Sequence, residues 1–195
     1  GLARLGQQGA GGADGNLGGQ RRLAHAGAPA EDHQVRGVQA AGGFPRRGSL
    51  RVLCYHAVAD LAGFRVHAPY GVPGPVLRSQ LRTLRRAGAR FVSPDTVDAW
   101  LAGRAPLPRR AVLVTFDDAY RDVHADGLPV LEALEVPGVV FAVSGLTGGT
   151  NVWDDHHRGA RLDLMTADEL RDCAARGLEV GAHARTHPQL PTVAD

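Results

Sequence analysis

Apolar and polar positions follow no period through the first 48 residues, then settle into short apolar runs alternating with helical stripes. Leu50-Arg51-Val52-Leu53-Cys54-Tyr55-His56 reads as a strand, followed by a Pro- and Gly-rich loop from Ala68 to Pro75. From Val76 to Ala87, the apolar positions Val76, Leu77, Leu81, Leu84 and Ala87 share one helical face. Arg78, Arg82, Arg85 and Arg86 lie mostly opposite and read as a solvated surface, with Gly88 as the stop. A short strand at Phe91-Val92 precedes Ser93-Pro94, which opens a helix carrying Val97, Trp100 and Leu101.

After Pro106 and Pro108, the near-continuous apolar run Ala111 to Phe116 has the signature of a strand buried on both faces of a parallel sheet. A helix from about Pro129 to Glu135 and a buried strand from Val139 to Val143 follow. A longer loop then carries Asn151-Val152-Trp153-Asp154-Asp155-His156-His157. Thr166 with Glu169 makes a capping box for a helix that ends before Gly177, and Leu178-Glu179-Val180 leads into His183. Strand and helix alternate throughout, which predicts an α/β fold with a parallel sheet and right-handed crossovers. In such sheets chemistry gathers at the carboxyl ends of the strands.

Composition narrows the folded part. Of 26 glycines, 13 fall in the first 49 positions, where Phe44 is the only aromatic, so residues 1–48 are expected to form a disordered Gly/Ala/Arg-rich tail and His25 and His33 to be solvated. All 22 basic residues are Arg, a bias that fits a GC-rich coding sequence better than a function. A net charge of +2 gives no case for nucleic acid or an anionic membrane as a partner. No stretch approaches the roughly 18 apolar residues of a transmembrane segment. Without a signal-peptide core the chain as given is expected to be cytoplasmic, or of the cell envelope if a leader precedes it. Cys54 and Cys173 stand in no metal or redox spacing and read as small buried residues.

The chemistry lies in two places. The strand ending at Phe116 delivers two adjacent carboxylates, Asp117 and Asp118, and the approach at Leu178 delivers His183 and His187. Alone, an Asp pair after a strand usually caps the next helix. Together with two imidazoles on the same sheet edge, it supplies the ligand types a divalent transition metal prefers, and leaves one carboxylate free as a base. Pro188 is expected to push His187 toward an extended backbone, so that the two histidines bracket a loop. His56, His124, His156 and His157 read as loop or helix-surface residues, and Trp153 as a core residue or a sugar-stacking platform.

Thr115-Phe116-Asp117-Asp118, followed by His183 through His187-Pro188, resembles the paired motifs of the polysaccharide deacetylase family, the NodB homology domain of carbohydrate esterase family 4. Tyr55-His56, Asn151-Val152-Trp153-Asp154 and Leu164-Met165-Thr166 extend the similarity across roughly residues 50 to 195. The resemblance implies a distorted (β/α) barrel of the NodB type, truncated at its C-terminal end, with 49–195 as a partial domain. It implies a metal-dependent hydrolase that removes N-acetyl groups from the amino sugars of a glycan. Asp117 is then the catalytic base, and Asp118, His183 and His187 hold a divalent metal, most often Zn2+, with Co2+ or Mn2+ as alternatives.

Two positions depart from the family: Ala119 replaces its usual Gly, and Ala184 its usual Ser or Thr, with the loss of a hydrogen bond in the histidine loop. The family's base-orienting Arg and its proton-donating His belong to later segments. Two alternatives stand beside the deacetylase: a carbohydrate- or metal-binding fragment without turnover, and an iron-dependent oxygenase, whose facial triad also takes two His and one Asp. The strand-helix alternation argues against the oxygenase. Oligomeric state is left open by the sequence.

Overall fold

The computed structural model describes residues 49–188 apart from 65, 158 and 159, so the expected tail over 1–48 lies outside the described residues. Five parallel strands form one sheet: β1 (Leu50–Tyr55), β2 (Arg90–Phe91), β3 (Ala111–Phe116), β4 (Gly138–Ala142) and β5 (Leu178–Ala182). β3 takes β1 along one side, from Leu50↔Ala111 to Tyr55↔Phe116. Along its other side it takes β2 at Ala111 and Val112, then β4 from Val114↔Gly138 onward. β5 continues the sheet beyond β4, from Gly138↔Leu178 to Ala142↔Ala182. The α/β class and the parallel sheet are as expected, and among the described residues the sheet is open.

The central strand explains the order. Every residue of β3 is buried, which requires cover on both faces. One face meets α1 (Gly74–Arg86) and α3 (Leu128–Ala133) in a core that holds Leu77, Leu81, Phe116, Leu128, Met165 and Leu178. Side chains of this size stabilise the fold by about 1.5–3 kcal/mol each when fully buried. A smaller cluster of Val92, Val97, Leu107, Ala111 and Leu113 packs under α2 (Pro94–Leu101), whose first turn is capped by Ser93 accepting from the Thr96 N–H. α4 (Ala167–Ala175) begins with the expected capping box of Thr166 and Glu169.

Some helical positions differ from the sequence pattern. In α1, Leu77 and Leu81 are buried, but Val76 and Ala87 flank the stripe and are exposed. Arg85 is not a free surface charge: its guanidinium donates to the Leu134 carbonyl and lies 5.8 Å from the Phe91 ring centroid. Leu101, a turn beyond the buried Val97, is exposed. A π-helical turn, Val123–Gly127, leads into α3 and was not visible in the sequence. Among the described residues no helix is long and apolar enough to cross a membrane.

Candidate metal centre

Because all the strands run in parallel and in register, their carboxyl ends share one edge. The residues that follow β1, β3 and β5 are His56, Asp117-Asp118 and His183. Asp117 still follows the β3 direction, its N–H donating to the Tyr55 carbonyl at 2.8 Å. The backbone then enters the left-handed region at Asp118 (φ 71°) and Ala119 (φ 55°). That reversal sends two consecutive carboxylates into two different clusters. It also gives the family's usual Gly at position 119 a physical reason, since left-handed backbone is where a Cβ is least welcome. The Ala119 carbonyl is held there by the Met165 N–H at 2.9 Å.

Asp118 is 4% exposed, and its Oδ1 lies 3.3 Å from Nε2 of both His183 and His187. Neither contact forms a proper hydrogen bond, so this buried oxygen has no donor among the described residues. Ligand atoms about 2.0–2.2 Å from a tetrahedral zinc stand roughly 3.3–3.6 Å apart, so the two contacts match the edges of such a polyhedron. Burial disfavours charge on Asp118, but the facing rings of His187, His56 and His183 outweigh it and hold the carboxyl below its ordinary value. Burial pushes His183 down toward the neutral imidazole that a metal needs. At His187 burial also opposes charge, yet contact with Asp118 prevails and raises the ring. The donor set, its spacing and its unpartnered oxygen all fit a divalent ion.

The histidine loop is steadied by main chain. Ser144 donates from its N–H to the Ala184 carbonyl at 3.1 Å and from its hydroxyl at 3.3 Å, and the Gly145 N–H reaches the Arg185 carbonyl at 2.8 Å. A Cβ on Gly145 would meet that carbonyl oxygen at 2.5 Å, so only glycine permits the approach. The hydrogen bond expected to be lost with Ala184 is thus offset from the β4 side. His187 takes φ 55°, not the extended backbone expected before Pro188. Its ring is fixed by a stack on Trp153, centroids 4.5 Å apart and planes 25° from parallel. The two histidines still bracket a loop.

Trp153 therefore supports a ring of the site. Its loop hangs on His67, which is 3% exposed. His67 Nδ1 accepts from the Ala160 N–H at 2.9 Å, so Nε2 carries the proton and donates to Asp154 Oδ2 at 3.0 Å. Asn151 closes the network, donating to Asp154 Oδ2 at 3.2 Å and to the Ala160 carbonyl at 3.0 Å.

On the other side of the Asp pair, Cys54, His56 and Asp117 bring ligand-type atoms within 4.8 Å of one another. The Cys54 thiol donates to Asp117 Oδ2 at 3.2 Å, and Asp117 Oδ1 is buried with no hydrogen-bond partner. Burial first and the Asp117 charge second push the Cys54 thiol up to about 12. Cys54 is thus half-buried at the site, while Cys173 is buried as expected.

The structure assembles Asp118, His183 and His187 into one trio and leaves Asp117 beside it. His56, expected on the surface, stands at the centre, and His124 pairs with Asp172 on an outer face at 2.8 Å. The side chains of His156 and His157 lie outside the described residues. His67 escaped the sequence reading, in which Cys54 was a small buried residue and His56 a loop or surface residue. The register could have found His56, because a strand paired Tyr55↔Phe116 sets the next residue beside Asp117.

Residues 104–195 match the family described as Polysaccharide deacetylase. YxkH of Bacillus subtilis is 23% identical over 141 residues, covering 72% of this chain and 44% of that protein. The poly-beta-1,6-N-acetyl-D-glucosamine N-deacetylase of Staphylococcus aureus is 24% identical over 109 residues, covering 56% and 35%. Among solved structures, IcaB from Ammonifex degensii superposes with a TM-score of 0.58 at 33% identity, covering 69% of this chain and 52% of that one. The de-N-acetylase from Aggregatibacter actinomycetemcomitans gives 0.53 at 26% identity, covering 69% and 53%. The chain spans less than half the length of these curated relatives and about half that of the solved structures.

Proposed function

From the premise that this chain belongs to the polysaccharide deacetylase family, we propose that it contributes the metal-dependent site of a hydrolase that removes N-acetyl groups from the amino sugars of a glycan. The observation that carries the reading is the buried Asp118 oxygen without a donor, 3.3 Å from two imidazole nitrogens. Asp118, His183 and His187 would hold the ion, with zinc the best match to two imidazoles and a carboxylate. A divalent ion there supplies Lewis-acid polarisation of an amide carbonyl and acidifies water.

The chain's own groups divide the proton chemistry. Asp117, outside the ligand trio, accepts the proton of the attacking water. Its Oδ2 is fixed by the Cys54 thiol, which leaves Oδ1 free for that proton. As the C–N bond breaks, the amine must be protonated, the step that the family resemblance gives to a histidine of a later segment. Acetate and a free amino sugar leave. Resemblance to a poly-N-acetylglucosamine deacetylase supports a hexosamine polymer as the substrate class.

The test is acetate release from β-1,6- and β-1,4-linked N-acetylglucosamine oligomers, followed by proton NMR with the zinc-loaded chain. Release that stops on chelation and returns with zinc is expected. A folded chain that holds zinc yet frees no acetate from either series would overturn the catalytic reading and leave a binding module.

A further inference from the structure

We propose that Cys54, His56 and Asp117 form a second metal site, for a soft or borderline divalent ion, whose filling silences the first. The silencing rests on the function proposed above; the binding does not. Cys54 and His56 are two residues apart and so project to the same face of β1. The β1–β3 register, Cys54↔Thr115 and Tyr55↔Phe116, continues to set Asp117 beside His56 on that face. The left-handed turn at Asp118 takes the neighbouring carboxylate away to the other trio.

A thiol, an imidazole and a carboxylate thus converge from two rigid strands, with ligand atoms within 4.8 Å of one another. Cys54 Sγ and Asp117 Oδ2 are already 3.2 Å apart, close to the roughly 3.5 Å that sulfur and oxygen span on one tetrahedral ion. Independently, Asp117 is only 8% exposed and its Oδ1 is a buried acceptor that finds no donor among the described residues. His56 is steadied by an edge-on contact with Tyr70, centroids 5.0 Å apart.

On binding, the S–H bond breaks, a metal–sulfur bond forms, and the proton goes to solvent. Thiolate and carboxylate together neutralise a dication. Sulfur selects soft ions, so this trio prefers Cd2+ over harder ions more strongly than Asp118, His183 and His187 do. Occupation engages the Asp117 carboxylate, the group assigned to take the proton of water, so excess soft metal inhibits.

The experiment is a Cd2+ titration of the full chain carrying one equivalent of Zn2+, read by thiolate-to-metal charge-transfer absorption, with acetate release followed in parallel. A band that saturates at one equivalent is expected in wild type and Cys173→Ser, and no band in Cys54→Ser. His183→Ala should lose the zinc equivalent but keep the band, which separates failure of the first site from failure of the second. His56→Ala should weaken Cd2+ binding by at least the roughly 10-fold that loss of a merely supporting group brings, and it decides the matter if Cys54→Ser does not fold. No band, or a band that survives in Cys54→Ser, overturns the site. Undiminished acetate release at a saturated band overturns the silencing.

Discussion

At the amino end of the sheet, Arg176 spans the approaches to β4 and β5, its guanidinium on Glu132 at 2.6 and 2.7 Å and on Asp172 at 3.0 Å. Charges there are paired in solvent. At the carboxyl end, Asp117 and Asp118 are buried side by side, each with an oxygen that lacks a donor. Of the six non-glycine residues with positive φ among the described residues, Asp118, Ala119, Ala184 and His187 stand at this end. Strained backbone of this kind costs of order 1–3 kcal/mol per residue and persists where surrounding structure over-determines it. The comparison teaches that unpartnered buried carboxylate oxygens and most of the left-handed backbone gather at the end where the candidate ligands converge.

The largest effect expected is on chemistry alone. Asp117→Asn removes the proposed base and keeps the proposed ligand trio, so acetate release should fall by about 10²–10⁴-fold with the zinc equivalent retained. Loss of zinc in this variant, measured by metal analysis after dialysis, would merge the roles of the two carboxylates that the structure separates.

The next effect reaches the site through its supports. His67→Ala removes the acceptor of the Ala160 N–H and the donor to Asp154, loosening the loop that sets Trp153 on His187. Zinc affinity should drop about 10–100-fold, and the stranded buried partners should cost about 1–3 kcal/mol in urea unfolding. Unchanged zinc affinity in a competition titration would show that the stack does not orient the ring.

A third expectation concerns pH. Burial pushes Asp122 up to about 6, although its carboxylate accepts the Val58 N–H at 2.7 Å. A folded pKa above the unfolded value means that the folded state binds the proton more tightly. Its contribution is therefore complete below the unfolded value and is lost as pH rises through about 6. Asp122→Asn should abolish that slope, worth on the order of 1–2 kcal/mol after solvent screening, in unfolding curves taken between pH 4 and 8. A slope that survives would place its source elsewhere.

The smallest effects belong to the amino end. Glu135, exposed at φ 47° after α3, has no ligand to hold in place. Glu135→Gly should stabilise the chain by about 0.5–1 kcal/mol without touching zinc binding, by relieving left-handed strain. Arg176→Ala should move the unfolding midpoint only slightly, because its ion pairs are exposed. A large loss of metal in either variant would erase the contrast between the two ends.

Much of this was legible in the chain. The near-continuous apolar run Ala111–Phe116 carried the signature of a doubly covered strand, and Thr166 with Glu169 fixed the start of α4 to the residue. Asp117, Asp118, His183 and His187 stood out because side chain and spacing are both local facts. What stayed hidden depends on distant neighbours. His56 became a site residue only through strand register, Cys54 through the carboxylate 63 positions away, and His67 through a loop 93 positions away. The left-handed backbone at His187 overrode the preference set by Pro188, because Trp153 and Asp118 fix the ring from outside the segment.

The most direct test of the proposed centre is an anomalous-difference map from crystals of the chain grown with one equivalent of zinc. The account predicts one strong peak bonded to Asp118 Oδ1, His183 Nε2 and His187 Nε2. A well-ordered trio with no peak, or a first equivalent bound anywhere else, would contradict it.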